Sequence, residues 1–144
     1  HLDTWLGQGT ARVILPITDP YVVHHGALGS FATIYLPSGS RVDDVCARLD
    51  GLSGIELALD RARACARFEL PSDRMGDVVV VSRRDVVVGT SASRHDLSGL
   101  DAPLRSHGGL SEQRVPFVLS RPAAVPAGRH LRNYDIFDVA LNAT

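Results

Sequence analysis

The chain has 144 residues, of which 44% are apolar and 22% charged, close to the usual balance for a soluble globular protein. That excludes a disordered chain, a collagen and a coiled-coil rod, and the formal net charge of −1 gives no bulk basic footprint for nucleic acid or an anionic membrane. All 15 basic residues are arginine, so no chemistry here can use a lysine amine.

In chain order, Leu2, Trp5 and Leu6 lie at helical spacing, and Gly7 and Gly9 suit a stop. Residues 1–9 therefore read as the end of a helix. A start at His1, in mid-pattern, is expected of a processed or shortened chain. Residues 12–18 (RVILPIT) predict a strand, with Pro16 at an edge or bulge because it has no N–H. Residues 21–29 have no periodicity and predict a loop that carries His24 and His25. Residues 31–36 (FATIYL) predict the next strand.

Ser40 is placed to open a helix, with Asp43 three residues later as a variant of the capping box. Val42, Val45, Cys46 and Leu49 form its apolar stripe, and Gly51 ends it. Residues 55–59 alternate as a half-buried strand, and Asp60 caps a helix over 61–69 that Pro71 stops. Two valine runs, 77–82 and 85–89, predict a hairpin whose tip is Arg83-Arg84, read as solvated turn charge. Valine at nearly every position points to burial on both faces or to an edge packed on helices. Together these elements predict an α+β fold, an antiparallel sheet with two helices on one face.

After residue 90 the character changes. Residues 90–109 are loop-like, 114–120 (with VPFVL) predict one more strand, and 133–142 predict an amphipathic helix. One strand and one helix do not make a domain; they look like the last strand and helix of a larger α/β sheet. Cys46 and Cys65 do not make a disulfide scaffold and read as reduced, buried thiols, which fits a cytoplasmic protein. No stretch has the roughly 18 apolar residues of a membrane span.

There is no HExxH, CxxC, GxSxG or P-loop pattern. Two stretches are candidates for chemistry. His107 follows Ser106 and precedes Gly108-Gly109, so its imidazole can be presented from a tight turn at the end of a predicted strand. The plainer alternative is an exposed histidine beside a glycine turn. His24 and His25 are adjacent, so they are poorly placed to ligate one ion together. From a loop, either can contact a substrate anion or donate a hydrogen bond, or simply pack on its own domain.

Three stretches then carry a resemblance. ARVILPITDPYVVHHGALGSFATIYLP, LDRARACARFELPSDRMGDVVVVS and GTSASRHDLSGLDAPLRSHGGLSEQRVPF together resemble the phosphonoacetate hydrolase family of the alkaline phosphatase superfamily, beside the nucleotide pyrophosphatase/phosphodiesterases. The pattern RSHGG with Glu112 and Val115-Pro116 indicates the superfamily, and ITDPYVVHHGALGSFAT points to the family.

The resemblance implies an α/β core with two zinc ions and a small α+β cap. It implies carbon–phosphorus cleavage of phosphonoacetate to acetate and phosphate. It makes His107 a zinc ligand and leaves His24 and His25 on the cap as substrate-side residues. It places residues 1–9 at the end of a core helix, 10–91 in the cap, and 92–144 back in the core. The family's threonine nucleophile, its Asp-His-Gly zinc motif and its basic substrate-holding residues would lie before His1, which makes this piece inactive alone. The expected partner is phosphonoacetate, with no nucleic acid and no membrane, and the intact protein could form a homodimer. Two other readings stand beside this one: a free-standing α+β binding domain related to the cap, or a piece of a nucleotide pyrophosphatase/phosphodiesterase.

Overall fold

The computed structural model describes residues 1–16, 29–90, 95 and 107–143. His24 and His25 lie outside the described residues. The described residues divide into two compact units, His1–Gln113 and Arg114–Thr144.

The first unit is built on a four-stranded antiparallel sheet. Its strands are β1 (Arg12–Ile14), β2 (Phe31–Tyr35), β3 (Ile55–Asp60) and β4 (Val78–Ser82), in the spatial order β1-β2-β4-β3. The last strand in sequence is thus a central one, and all five of its residues are buried. Side chains of a strand alternate between faces, so a run of valines needs cover on both. Helix α2 (Val42–Asp50) supplies one cover. Its Val45, Cys46 and Leu49 pack with Val78, Val80, Ala32 and Ile34, and Leu2, Trp5 and Leu6 of α1 (Leu2–Leu6) join that side. Helix α3 (Arg61–Phe68) lies on the other face, where Ala64 and Phe68 pack with Val79, Met75, Phe31 and Leu59.

The α+β class matches the sequence expectation, but the expectation of both helices on one face is corrected. A strand apolar on both sides leaves neither face to water, so each helix takes one. A bulge between Ile55 and Leu57 lets Ile55 and Ala58 share the α2 side although they are an odd number of residues apart.

Local capping divides between the two helices. The Asp60 carboxylate accepts from the Arg63 N–H at 2.8 Å and caps α3 as predicted. Ser40 does not cap α2. Its hydroxyl donates back to the Pro37 carbonyl at 2.7 Å, and Arg41 occupies the cap position. The dipole of α2 is still complemented by Asp43 and Asp44 in its first turn.

Gly76 marks a close approach. Its N–H donates to the Thr33 hydroxyl at 2.8 Å, and a Cβ there would sit 2.5 Å from the Ile34 carbonyl oxygen. Only glycine lets the segment before β4 lie this near β2.

The expected hairpin after β4 does not form. Both sides of β4 are already paired, to β2 and β3, so a returning strand has no edge to join. The chain turns instead, with the Val86 N–H donating to the Arg83 carbonyl at 3.1 Å and Asp85 at φ 64°. It then makes a single bridge, Val88 to Gly29, ahead of β2.

In the second unit, residues 114–120 form no strand, and Val115 and Val118 are 65% and 80% exposed. An apolar segment becomes a strand only where a ladder partner is offered. Helix α4 (Asp135–Asn142) forms as expected, with Val139 buried and Phe137 and Leu141 exposed. Arg129 pairs with Asp135 at 2.9 Å and Asp138 at 3.1 Å and fastens its first turn. Among the described residues no helix is long and apolar enough to cross a membrane.

Candidate functional site

The His107 loop is fastened to the end of the sheet through Ser30, the residue before β2. The Ser30 N–H donates to the His107 carbonyl at 2.8 Å. The Ser30 carbonyl accepts from Ser82 N–H, at the end of β4, also at 2.8 Å. The Ser30 and Ser82 hydroxyls both donate to the Val86 carbonyl, at 3.3 and 2.5 Å. Both serines are buried, so these bonds satisfy polar atoms that water does not reach.

Past His107 the chain turns on two glycines. Gly108 has φ 88°, a region that side-chain-bearing residues rarely adopt. Gly109 is buried, and a Cβ on it would lie 3.3 Å from the Ser30 Cβ and 3.2 Å from Glu112 Oε2. Its N–H donates to Glu112 Oε2 at 2.7 Å, and the Glu112 N–H donates back to the Gly109 carbonyl at 3.1 Å, across a short 3₁₀ turn (Leu110–Glu112). The backbone of the loop is thus held at both ends, while His107 itself is exposed. That exposure fits a presented imidazole and equally an exposed histidine beside a glycine turn.

Beside the loop lies a cleft of about 460 Å³ lined by Glu56, Arg83, Arg84, Leu110 and Ser111. It joins β3, the turn after β4 and the turn after the His107 loop. The Arg84 side chain is 82% exposed and stands 3.9 Å from Asp85, which agrees with solvated turn charge.

Among the described residues, no three His, Cys, Asp or Glu side chains gather as a metal site. His107 has the donor chemistry and the exposure to serve as one ligand, and a complete site needs donors from beyond these residues. Cys46 is not a candidate nucleophile. It is buried under α2, and burial pushes its thiol up from the usual range.

The sequence reading missed Ser30 as a partner of the His107 backbone and Glu112 as a partner of Gly109. The spacing Gly109-x-x-Glu112 is the one local signal that could have found Glu112.

No family model matches. A crystal structure of phosphonoacetate hydrolase from Sinorhizobium meliloti 1021, in complex with phosphonoformate, is 59% identical, covers 94% of this chain and superposes with a TM-score of 0.80. The chain is a relative of the phosphonoacetate hydrolases. The Sinorhizobium meliloti phosphonoacetate hydrolase in complex with phosphonoacetate matches over the same 94% with a TM-score of 0.79. A phosphonoacetate hydrolase of Penicillium oxalicum is 71% identical over 31 residues, 21% of this chain and 43% of that protein. The chain spans 33% of the length of the Sinorhizobium meliloti phosphonoacetate hydrolase. Its small antiparallel sheet with helices is thus matched by about a third of a phosphonoacetate hydrolase.

Proposed function

We propose that this chain is part of a zinc-dependent phosphonoacetate hydrolase, carrying its cap and one zinc-ligand histidine, His107. The observation that carries the reading is the 59% identity over 94% of the chain, at a TM-score of 0.79, to a hydrolase bound to phosphonoacetate. On this reading residues 10–91 are the cap, and 1–9 and 92–144 belong to a catalytic α/β core completed elsewhere in a longer protein. The unpaired, exposed apolar run 114–120 supports that division, because such a run calls for a sheet to join. His24 and His25 are assigned to the substrate side of the cap. The protein is assigned to the cytoplasm, where its free cysteines would stay reduced.

In the reaction, water adds across the carbon–phosphorus bond. Phosphorus gains the oxygen, and the carbon leaves with the bonding pair and takes a proton, giving phosphate and acetate. Two zinc ions, when bound, supply charge neutralisation at the phosphonate and activate the nucleophile. The described residues perform a narrower task. The loop leaves His107 exposed, with its carbonyl bonded to Ser30 and the following Gly109 bonded to Glu112. The small domain, rigid around β4, gives the loop a fixed base and can shield the site from bulk water.

The test is phosphate release from phosphonoacetate by the full-length protein, with and without zinc, beside the 144-residue chain alone. Zinc-dependent release by the full-length protein and none by the shorter chain is expected. Turnover by the short chain, or none by the zinc-loaded full-length protein, overturns the reading.

A further inference from the structure

We propose that Glu112 is a positioning residue for His107, acting through the backbone of Gly109. This rests on the reading of His107 as a zinc ligand.

A histidine followed by two glycines has a difficulty as a ligand. Glycine is the most conformationally free residue, so the turn that frees the imidazole from crowding would also let it wander. A metal ligand has to leave its scaffold in one direction. Three bonds remove that freedom. Two are between backbone atoms: Ser30 N–H to the His107 carbonyl, at 2.8 Å, and Glu112 N–H to the Gly109 carbonyl, at 3.1 Å. The third, from Gly109 N–H to Glu112 Oε2 at 2.7 Å, is made by a side chain. It is also the shortest of the three.

The packing agrees with the bonding. Gly109 is buried with Ser30 and the Glu112 carboxylate close to its missing Cβ, so the loop is gripped between the sheet end and Glu112. Ser30 is itself tied to the end of β4 through Ser82 N–H. A continuous line of contacts therefore runs from the central strand to the backbone of His107 and is closed on its far side by Glu112. This gives a role to the glutamate in the motif RSHGGLSE that the ligand assignment alone leaves unexplained.

The experiment uses the full-length zinc protein and three variants, Glu112→Ala, Glu112→Gln and His107→Ala. Zinc affinity is measured by competition with a chelator, and amide hydrogen exchange is followed over residues 107–113. Glu112→Ala is expected to weaken zinc binding about 10–100-fold, the usual effect of removing a group that orients a ligand, and to speed exchange in the loop. Glu112→Gln keeps a carbonyl acceptor and should stay within about threefold of the parent in affinity. Loss of zinc in His107→Ala with unchanged affinity and exchange in Glu112→Ala overturns the positioning role. So does Glu112→Gln behaving as Glu112→Ala. Native zinc affinity in His107→Ala instead removes the ligand assignment, and the exchange data on Glu112→Ala then still decide whether Glu112 holds the loop.

Discussion

Two apolar runs of the chain meet opposite fates. VVVV at 78–81 forms a strand with ladders on both sides and is buried completely. VPFVL at 115–119 forms no strand and leaves Val115 and Val118 exposed. Both runs are apolar, and Pro116, which lacks an N–H, is only one residue of the second, so residue type explains part of the difference. What also differs is the supply of partners. The first run has β2 and β3 beside it and a helix above and below; the second has no ladder among the described residues. Strand propensity describes fitness for a pleated, covered surface, and the surface has to come from the rest of the molecule.

This contrast can be broken most forcefully at Val80, which is 3% exposed. Val80→Asp places an unpaired charge between α2 and the sheet and should cost about 4 kcal/mol or more. Urea unfolding of the chain measures it, and a parental midpoint would contradict the central place of β4.

A smaller effect is expected at the start of α3, which covers the other face. Asp60→Ala should cost about 1 kcal/mol, the typical worth of such a cap. The backbone N–H of Arg63, and then its guanidinium, hold the Asp60 carboxyl below the usual carboxylate range. A carboxyl lowered in the folded state contributes its full stability above its unfolded pKa and loses it as pH falls through the folded value. The gap between parent and variant in urea midpoint should therefore be constant near neutrality and close below about pH 4. A gap that widens in acid would refute the assignment.

The smallest effect is expected at Val118, 80% exposed, where Val118→Asp should shift the stability of this chain by no more than about 0.5 kcal/mol. In the full-length protein the same change should cost about 2 kcal/mol or more, because there the run is proposed to be buried in a sheet. Equal thermal denaturation curves for the two full-length proteins would remove 114–120 from the core.

Signals that act over a few residues were legible in the sequence. Asp60 directly precedes its helix, and the cap is where the spacing puts it. The valine run left burial on both faces and an edge packed on helices both open, and the structure gives the first. Which helix takes which face was not legible, because that depends on chain connections and on the bulge at Ile55/Leu57. The hairpin failed for a nonlocal reason, since nothing near Ser82 reveals that both sides of β4 are occupied. Ser40 failed for a local one: its hydroxyl donates to the Pro37 carbonyl, and Arg41 takes the cap position. At the site, the glycine turn after His107 was legible in the sequence, with Gly108 at φ 88°. The hold of Ser30 on the His107 carbonyl was not, because a backbone bond between distant segments leaves no mark in composition or spacing. His24 and His25 lie outside the described residues.

The position of β4 also sets an order of events during synthesis. β2 and β3 are not neighbours in the sheet; each waits for the strand made after both. Until residue 82 has been made, β2 and β3 both lack the strand that they pair with in the finished sheet. The piece that joins them is a four-valine run of the kind that self-associates when left exposed. Asp77 stands on one side of that run, and Arg83, Arg84 and Asp85 on the other. Charges flanking such a run oppose its stacking on a second copy. Two of the arginines that look idle on the folded surface would thus act earlier, while the last strand is still looking for its place.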